Sequence, residues 1–384
     1  MTAPIRSAAN QAAPAIEALA DQLEARGDLT DPRIRRALRK APRHLFAPAR
    51  GWCAPDGPGQ RRVIDRRRDP SGWWEAVYSD ASIVTQVADG TGDPAGGTGE
   101  ATSSLSSPGA VVAFLELLDV SPGDRILEIG TGTGWTAALL SELGAHVTTV
   151  EVDEAIAREA DARLRDHGFD VAVRAGDGAA GAPAAAPFDG VHVTCGVTQI
   201  PYAWVKQTRP GGRIVMPWMP EFGDGHKVAL TVTADGCAVG RLAGRADYMM
   251  LRAQRTGVGA GFGAGAARES TTSLDPWRVA FDGYGADAAI AGTLPDVMAI
   301  PRHGAGAGFE LELADVAGTS WARCVKGGAG EHRVLQGGPR SLWEEVAAAY
   351  DRWVEWGRPG RERFGMTVSP SGQAVWLDDP DHRV

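Results

Sequence analysis

The sequence lacks the features that mark membrane-spanning, exported or nucleic-acid-binding proteins. No stretch of its 384 residues approaches the roughly 18 consecutive apolar residues of a membrane span. The opening MTAPIRSAANQAAPAIEALA has no continuous apolar segment, because Arg6, Asn10, Gln11 and Glu17 interrupt it, so neither export nor insertion is expected. Cysteine is scarce. Cys53, Cys195, Cys237 and Cys324 stand far apart, which argues against paired metal-ligand spacings and a dense disulfide framework and for reduced thiols in a cytosol. Nor is positive charge in excess: a formal net charge of -9 gives no general attraction to a phosphate backbone or an anionic membrane. Nucleic-acid and membrane partners are therefore not expected.

What the chain does have is 43% hydrophobic residues, enough for a large core, together with 50 glycines and 24 prolines that call for many turns. Its length leaves room for a catalytic core and at least one further folded unit. Near the start, residues 16–39 read as helical, with Leu19, Leu23, Ile34 and Leu38 on one face and Asp31 capping a helix that begins at Pro32. APRHLFAP reads as an extended crossover anchored by Leu45 and Phe46. Residues 51–72, with Arg61, Arg62, Arg66, Arg67 and Arg68, read as a solvated loop, with a contact surface for an acidic partner as the alternative. A glycine-rich stretch over 89–107 is expected to be mobile or to be fixed by a ligand.

After Pro108 the pattern sharpens. A helix with Val112, Leu115 and Leu118 leads to the strand-like RILEIG, and helices and short apolar strands then alternate to RIVMPW, the signature of an open parallel sheet wound on both faces. Within it, Gly168 is a candidate helix terminator. Beyond Pro217 the pattern changes to a hairpin around Asp235 and Gly236, a glycine-rich connection over 257–270, and the strand-like FELELA and WARCVKG. A helix follows Ser341, with a capping box to Glu344, a face of Leu342, Val346, Ala349 and Trp353, and a stop at Gly357; a last hairpin turns over 369–372. The expected domains are 1–105, helical and substrate-facing; 106–219, catalytic; and 220–384, an α+β accessory unit for substrate recognition.

The sharpest chemical signal is ILEIGTGTGWTAALL. A strand delivers Glu128 and Gly130 to a tight loop in which Gly132 and Gly134 let the backbone approach a ligand. Such a loop also serves dinucleotides. Two further features favour S-adenosylmethionine: Glu151, at the end of the next strand, can accept from ribose hydroxyls, and Asp177 with Gly178, after the third strand, can meet an adenine ring. A nucleotide cofactor, or glycines of purely structural use, remain the alternatives.

The chain resembles the protein-L-isoaspartate O-methyltransferase family. IRRALRKAPRHLFAP, SSLSSPGAVVAFLELL, RILEIGTGTGWTAAL with its downstream AGDG, and PFDGVHVTCGVTQIPYAWVKQTRPGGRIVMPW carry the likeness, in order, across most of residues 33–218. The resemblance implies a Rossmann-like, class I methyltransferase fold of the doubly wound α/β class. It implies Glu128, Gly130, Thr131, Gly132, Gly134, Glu151, Asp177 and Gly178 around S-adenosylmethionine, with S-adenosylhomocysteine as product and no metal. It further implies Ser106 as the residue that contacts the reacting carboxylate, and Tyr78, Asp80, Ser104 and Ser107 on the substrate side. A carboxylate is already ionised near neutral pH and a sulfonium is an activated electrophile, so Ser106 needs only to orient the acceptor; its structural alternative is to cap the helix after Pro108. Cys195 reads as a packing cysteine, His44 as structural or a polar contact on the substrate side, and His226 and His303 do not establish a metal site.

The enlarged substrate-facing region and the long tail depart from a compact repair enzyme. They resemble methyltransferases of ribosomally made, modified peptides, including lanthipeptide and graspetide systems. That likeness implies methylation of an ordinary Asp in a constrained precursor peptide, giving an aspartimide that persists or opens to isoaspartate. Repair of isoaspartyl proteins and a non-catalytic peptide-binding module are the alternatives. The oligomeric state stays open.

Overall fold

The computed structural model describes residues 8–55, 61–255, 267–303, 308–328 and 330–384. Most of the glycine-rich connection expected over 257–270 lies outside them. The chain divides into two compact units, Met1–Cys195 with Ala203–Met216, and Gly196–Tyr202 with Pro217–Val384. No helix among the described residues is long and apolar enough to cross a membrane.

The first unit opens with helices α1 (Ala8–Ala25) and α2 (Pro32–Lys40), whose Leu19, Leu23, Ile34 and Leu38 are all buried. Asp31 caps α2 by accepting from Arg33 N at 2.7 Å. The segment expected as an extended crossover is a single 3-10 turn, Arg43–Leu45. Its buried anchors are Phe46 and the unexpected Arg43, while Leu45 is half-buried.

The expected solvated loop over 51–72 is a second correction. Strands β1 (Arg50–Pro55) and β2 (Arg62–Asp65) form a hairpin that pairs Trp52 with Val63, and helix α3 (Pro70–Val77) follows. The arginines conceal short apolar alternation: Trp52, Ile64 and Trp73 are buried, and Arg61 and Arg66 lie over the Trp52 and Trp73 rings at 4.5 and 4.7 Å from their centroids. Long arginine stems cover apolar surface while the heads reach water. Strand β3 (Ala81–Val87) pairs with β1 on one side and with β4 (Ala101–Leu105) on the other, giving the order β2-β1-β3-β4. The glycine-rich stretch before β4 forms short turns closed by bonds such as Ala88 N to Glu100 O at 2.9 Å.

Helix α4 (Pro108–Leu118) then leads into a parallel sheet, with Val112, Leu115 and Leu118 buried. Strand β5 (Arg125–Ile129), helix α5 (Trp135–Glu142), β6 (His146–Glu151), α6 (Glu154–Asp166), β7 (Val171–Ala175), β8 (Phe188–Val193), α7 (Tyr202–Gln207) and β9 (Thr208–Trp218) alternate as the sequence predicts. Gly168 follows α6 with φ +78°, as a helix terminator. The parallel order is β9-β8-β5-β6-β7, so the chain reverses direction beside β5. In a doubly wound α/β sheet the ligand crevice opens at that switch point, beyond the strands' carboxyl ends.

Residues 1–105 were expected as a separate region, yet they belong to the same unit as the parallel sheet. Trp135, the first residue of α5, donates from Nε1 to Ala41 O at 2.9 Å, and Arg43 stacks on the Trp135 ring. Such contacts join the N-terminal helices to the cofactor half.

The second unit has its own core. Strands β10 (Gly225–Val232) and β11 (Ala238–Ala246) form the hairpin expected around Asp235 and Gly236. A five-stranded antiparallel sheet has the order β12-β16-β15-β14-β13, built from β12 (Arg268–Thr272), β13 (Val297–His303), β14 (Phe309–Asp315), β15 (Trp321–Val325) and β16 (His332–Gly337). Helices α8 (Pro276–Phe281), α9 (Tyr284–Thr293) and α10 (Leu342–Glu355) accompany it, and β17 (Phe364–Ser369) and β18 (Gly372–Leu377) form the final hairpin. Leu342, Val346, Ala349 and Trp353 of α10 are buried as expected. The capping box is not made: Ser341 gives no side-chain cap, and Glu344 instead accepts from Gln336 Nε2 at 2.7 Å.

Candidate active site

The carboxyl end of β5 is built on a buried polar chain. Glu128 is fully buried and its Oε2 accepts from Thr149 Oγ1 at 2.6 Å; Thr149 in turn lies 2.7 Å from Thr131 Oγ1. Burial pushes the Glu128 carboxyl up to about 8, and the nearby Glu151 charge adds to the rise. Glu128 Oε1 is buried with no hydrogen-bond partner among the described residues. A buried polar atom costs free energy until it is paired, and a ligand is one way to pair it.

The loop above this chain turns on left-handed glycines. Gly132 has φ +53°, a conformation that L side chains rarely adopt, and a Cβ there would stand 3.4 Å from Ser104 O, in ordinary contact, so the loop runs against β4. Gly132 N donates to Glu151 Oε2 at 3.0 Å and Asp153 N to Glu151 Oε1 at 3.1 Å. Each oxygen keeps acceptor capacity for a hydroxyl. Gly134 ends the loop as the N-cap residue of α5. Asp177 is exposed and accepts from Ala179 N at 2.9 Å, leaving its other oxygen open, while Gly178 is buried beside it and accepts from Trp204 Nε1 at 2.8 Å. The orphaned Glu128 oxygen, the narrow glycine loop and the carboxylates closing β6 and following β7 fit an adenosyl cofactor. Thr131 belongs to the same loop, with its hydroxyl turned inward to Thr149.

The candidate acceptor side is the strip from β4 into α4. Ser106 is half-buried, and its hydroxyl makes no hydrogen bond to any described residue, so it is available to orient a carboxylate. Ser106 is not the cap of α4. That position belongs to Ser107, which is 3% exposed and makes no side-chain cap bond, so Ser107 is closed to a substrate. Asp80 does the capping: Gly109 N donates to Asp80 Oδ1 at 2.7 Å, and Arg26 bonds the other oxygen. The Asp80 carboxylate, expected to face substrate, is thus occupied in holding α4 and α1. Ser104 is half-buried on β4, opposite Val84. Tyr78 stacks on Trp74 with ring planes 7° apart, and its hydroxyl lies 2.6 Å from His44 Nδ1.

Arg43, which sequence reasoning passed over, ties these parts together. Its guanidinium donates to Val77 O at 2.6 Å, Ala81 O at 2.7 Å and Ser106 O at 2.9 Å, bracketing the Tyr78 to Asp80 segment and fixing the backbone of Ser106. Burial lowers its pKa to about 10, which leaves it charged at neutral pH. Thr194 was also missed: its hydroxyl donates to Ile129 O at 2.9 Å, under Gly130. Cys195 beside it is no nucleophile, because burial pushes its thiol up to about 12.

A glycine loop and closing carboxylates on a reversed parallel sheet, facing a serine strip with no covalent chemistry of its own, define an S-adenosylmethionine-dependent methyltransferase of class I fold. Similarity to known proteins agrees. The family model for protein-L-isoaspartate(D-aspartate) O-methyltransferase matches residues 74–240. A protein-L-isoaspartate O-methyltransferase from Rhodopseudomonas palustris is 36% identical over 197 residues, 51% of this chain and 73% of that protein. One from Methylorubrum extorquens is 36% identical over 186 residues, 46% of this chain and 82% of that protein. A solved structure named protein-L-isoaspartate O-methyltransferase shares the fold at TM-score 0.55 and 19% identity, covering 95% of this chain and all of its own. The chain belongs to the protein-L-isoaspartate O-methyltransferase family, and it is an S-adenosylmethionine-dependent carboxyl O-methyltransferase.

Proposed function

We propose that the chain methylates the free carboxylate of an isoaspartyl residue in peptides or proteins. The observation that carries the reading is the apposition of the acceptor strip and the glycine loop at Ser104 and Gly132. Glu128, Glu151, Asp177 and the glycines hold the cofactor, which supplies an electrophilic methyl group when bound. Ser106 donates a hydrogen bond to one carboxylate oxygen and so orients the other, while Arg43 fixes the Ser106 backbone. No general base is needed, since the acceptor is already ionised. In the resulting ester the next residue's backbone nitrogen attacks the carbonyl, the nitrogen loses its proton, and methanol leaves. The product is a cyclic imide.

A second reading, methylation of an ordinary Asp in a cyclised ribosomal precursor peptide, has one observation in its favour. The hairpin of β1 and β2 carries exposed arginines beside the substrate-facing region, a surface suited to an acidic peptide partner. Added length does not favour it, because the solved structure with the same fold matches over nearly the whole chain. The test is transfer of a labelled methyl group to an isoaspartyl peptide, its ordinary Asp counterpart and a cyclised Asp peptide. Preferential turnover of the isoaspartyl peptide is expected, and preference for the cyclised Asp peptide would hand the assignment to the second reading.

A further inference from the structure

The second unit holds a cleft of about 520 Å³ that the methyl-transfer chemistry does not use. Its walls come from the start of α9, the turn after α10 and the strand β11. One wall is bare backbone: at Gly285 a Cβ would lie 1.9 Å from Pro359 O, so no side chain can stand there. Helix α9 opens at this wall behind Gly283, which offers no side-chain cap, and its first N–H groups carry the positive end of the helix dipole.

Two arginines line the same space. Arg361 is 9% exposed, yet its Nε and Nη2 have no hydrogen-bond partner among the described residues. Its guanidinium lies 3.8 Å from the centroid of the Tyr284 ring. Arg358 holds a left-handed backbone, φ +57°, and its guanidinium lies 5.8 Å from the centroid of Trp353. Unmade hydrogen bonds on a buried cation are expensive, and an anion in the cleft would relieve the cost. Asp287, in the first turn of α9, is a weak counter-charge because burial raises its carboxyl to about 7.

We propose that this cleft binds the carboxylate of an acidic peptide segment. A guanidinium presents parallel N–H groups that match a planar carboxylate. A dianionic phosphate fits less well, because Asp282 and Glu362 line the cleft too and would repel the second charge. Asp282 already accepts from Tyr350 and lies 3.7 Å from Arg358, so part of the positive charge is spent locally. Beside the cleft, Trp277, Phe281 and Tyr284 are 43%, 48% and 44% exposed, and the first two rings lie 4.6 Å apart. These faces suit an apolar residue next to the bound carboxylate. The inference stands whichever carboxylate the first unit methylates.

Calorimetric titration of the full chain tests it, with S-adenosylhomocysteine in excess; the substitutions at Arg361 and Arg358, which leave the acceptor strip untouched, tell which site is read. The probes are a doubly blocked Phe-Asp dipeptide, its Phe-Asn counterpart and inorganic phosphate. The Asp probe should bind about tenfold tighter than the Asn probe, and Arg361→Gln should weaken it by about tenfold while leaving S-adenosylhomocysteine affinity unchanged. Arg358→Gln, at a half-exposed position, should weaken it about threefold and serves if the first variant does not fold. Equal binding of the two dipeptides, indifference to both substitutions, or tighter binding of phosphate would overturn the proposal.

Discussion

The two sides of the active site are built by different means. The cofactor side is local: the glycine loop, Glu128 and Glu151 lie within two consecutive strands and their connection, and their contacts run among neighbours. The acceptor side is assembled from a distance. Ser106 sits on a backbone held by Arg43, 63 residues earlier, and its helix is capped by Asp80, itself held by Arg26. A site of the first kind is open to damage at its own residues, and one of the second kind at residues that never meet a substrate.

The largest expected effect tests that contrast at Arg43. Arg43→Ala leaves the Val77, Ala81 and Ser106 carbonyls without their donor and should cost about 3 kcal/mol or more, read as a lower denaturant midpoint. A change below about 1 kcal/mol would mean that the acceptor strip holds itself. Next comes Ser106→Ala, expected to slow single-turnover methyl transfer by about tenfold to a hundredfold with S-adenosylhomocysteine affinity unchanged. An unaltered chemical rate would remove Ser106 from its orienting role. On the cofactor side, Glu151→Ala should weaken S-adenosylhomocysteine binding by about tenfold with little loss of stability, and an unchanged dissociation constant would count against its ribose contact.

The smallest effect concerns pH. Glu128 has its folded pKa raised to about 8 from 4.5, so the folded state holds a proton that the unfolded chain releases earlier. Its contribution to stability is present below about 4.5 and is lost as pH rises towards about 8. Glu128→Gln should flatten the fall in melting temperature across that window. A pH profile parallel to that of the parent would show the carboxyl to be ionised in the folded protein.

The same contrast explains what the sequence made legible. Alternating strands and helices over 108–218, the glycine loop and Glu151 could be read because periodicity and turn chemistry are local signals. The β1 and β2 hairpin was hidden because four-residue alternation drowns in a run of arginines. Nothing marks Arg43 as buried within PRHLF, since a charge between a proline and apolar residues ordinarily turns to solvent. Asp80 was identified as a residue of consequence but assigned to substrate. Only the position of Gly109 N reveals that its carboxylate is already spoken for. Thr149, on β6, and Thr194, just after β8, have nothing in the sequence that marks their hydroxyls as inward-facing.

Cys195 stands next to Thr194, close enough to Glu151 for that charge to help keep its thiol protonated. A thiolate is a far stronger nucleophile towards a sulfonium methyl than any carboxylate, and only the deprotonated sulfur attacks. With its proton held in place by burial, the sulfur is a weak nucleophile at neutral pH.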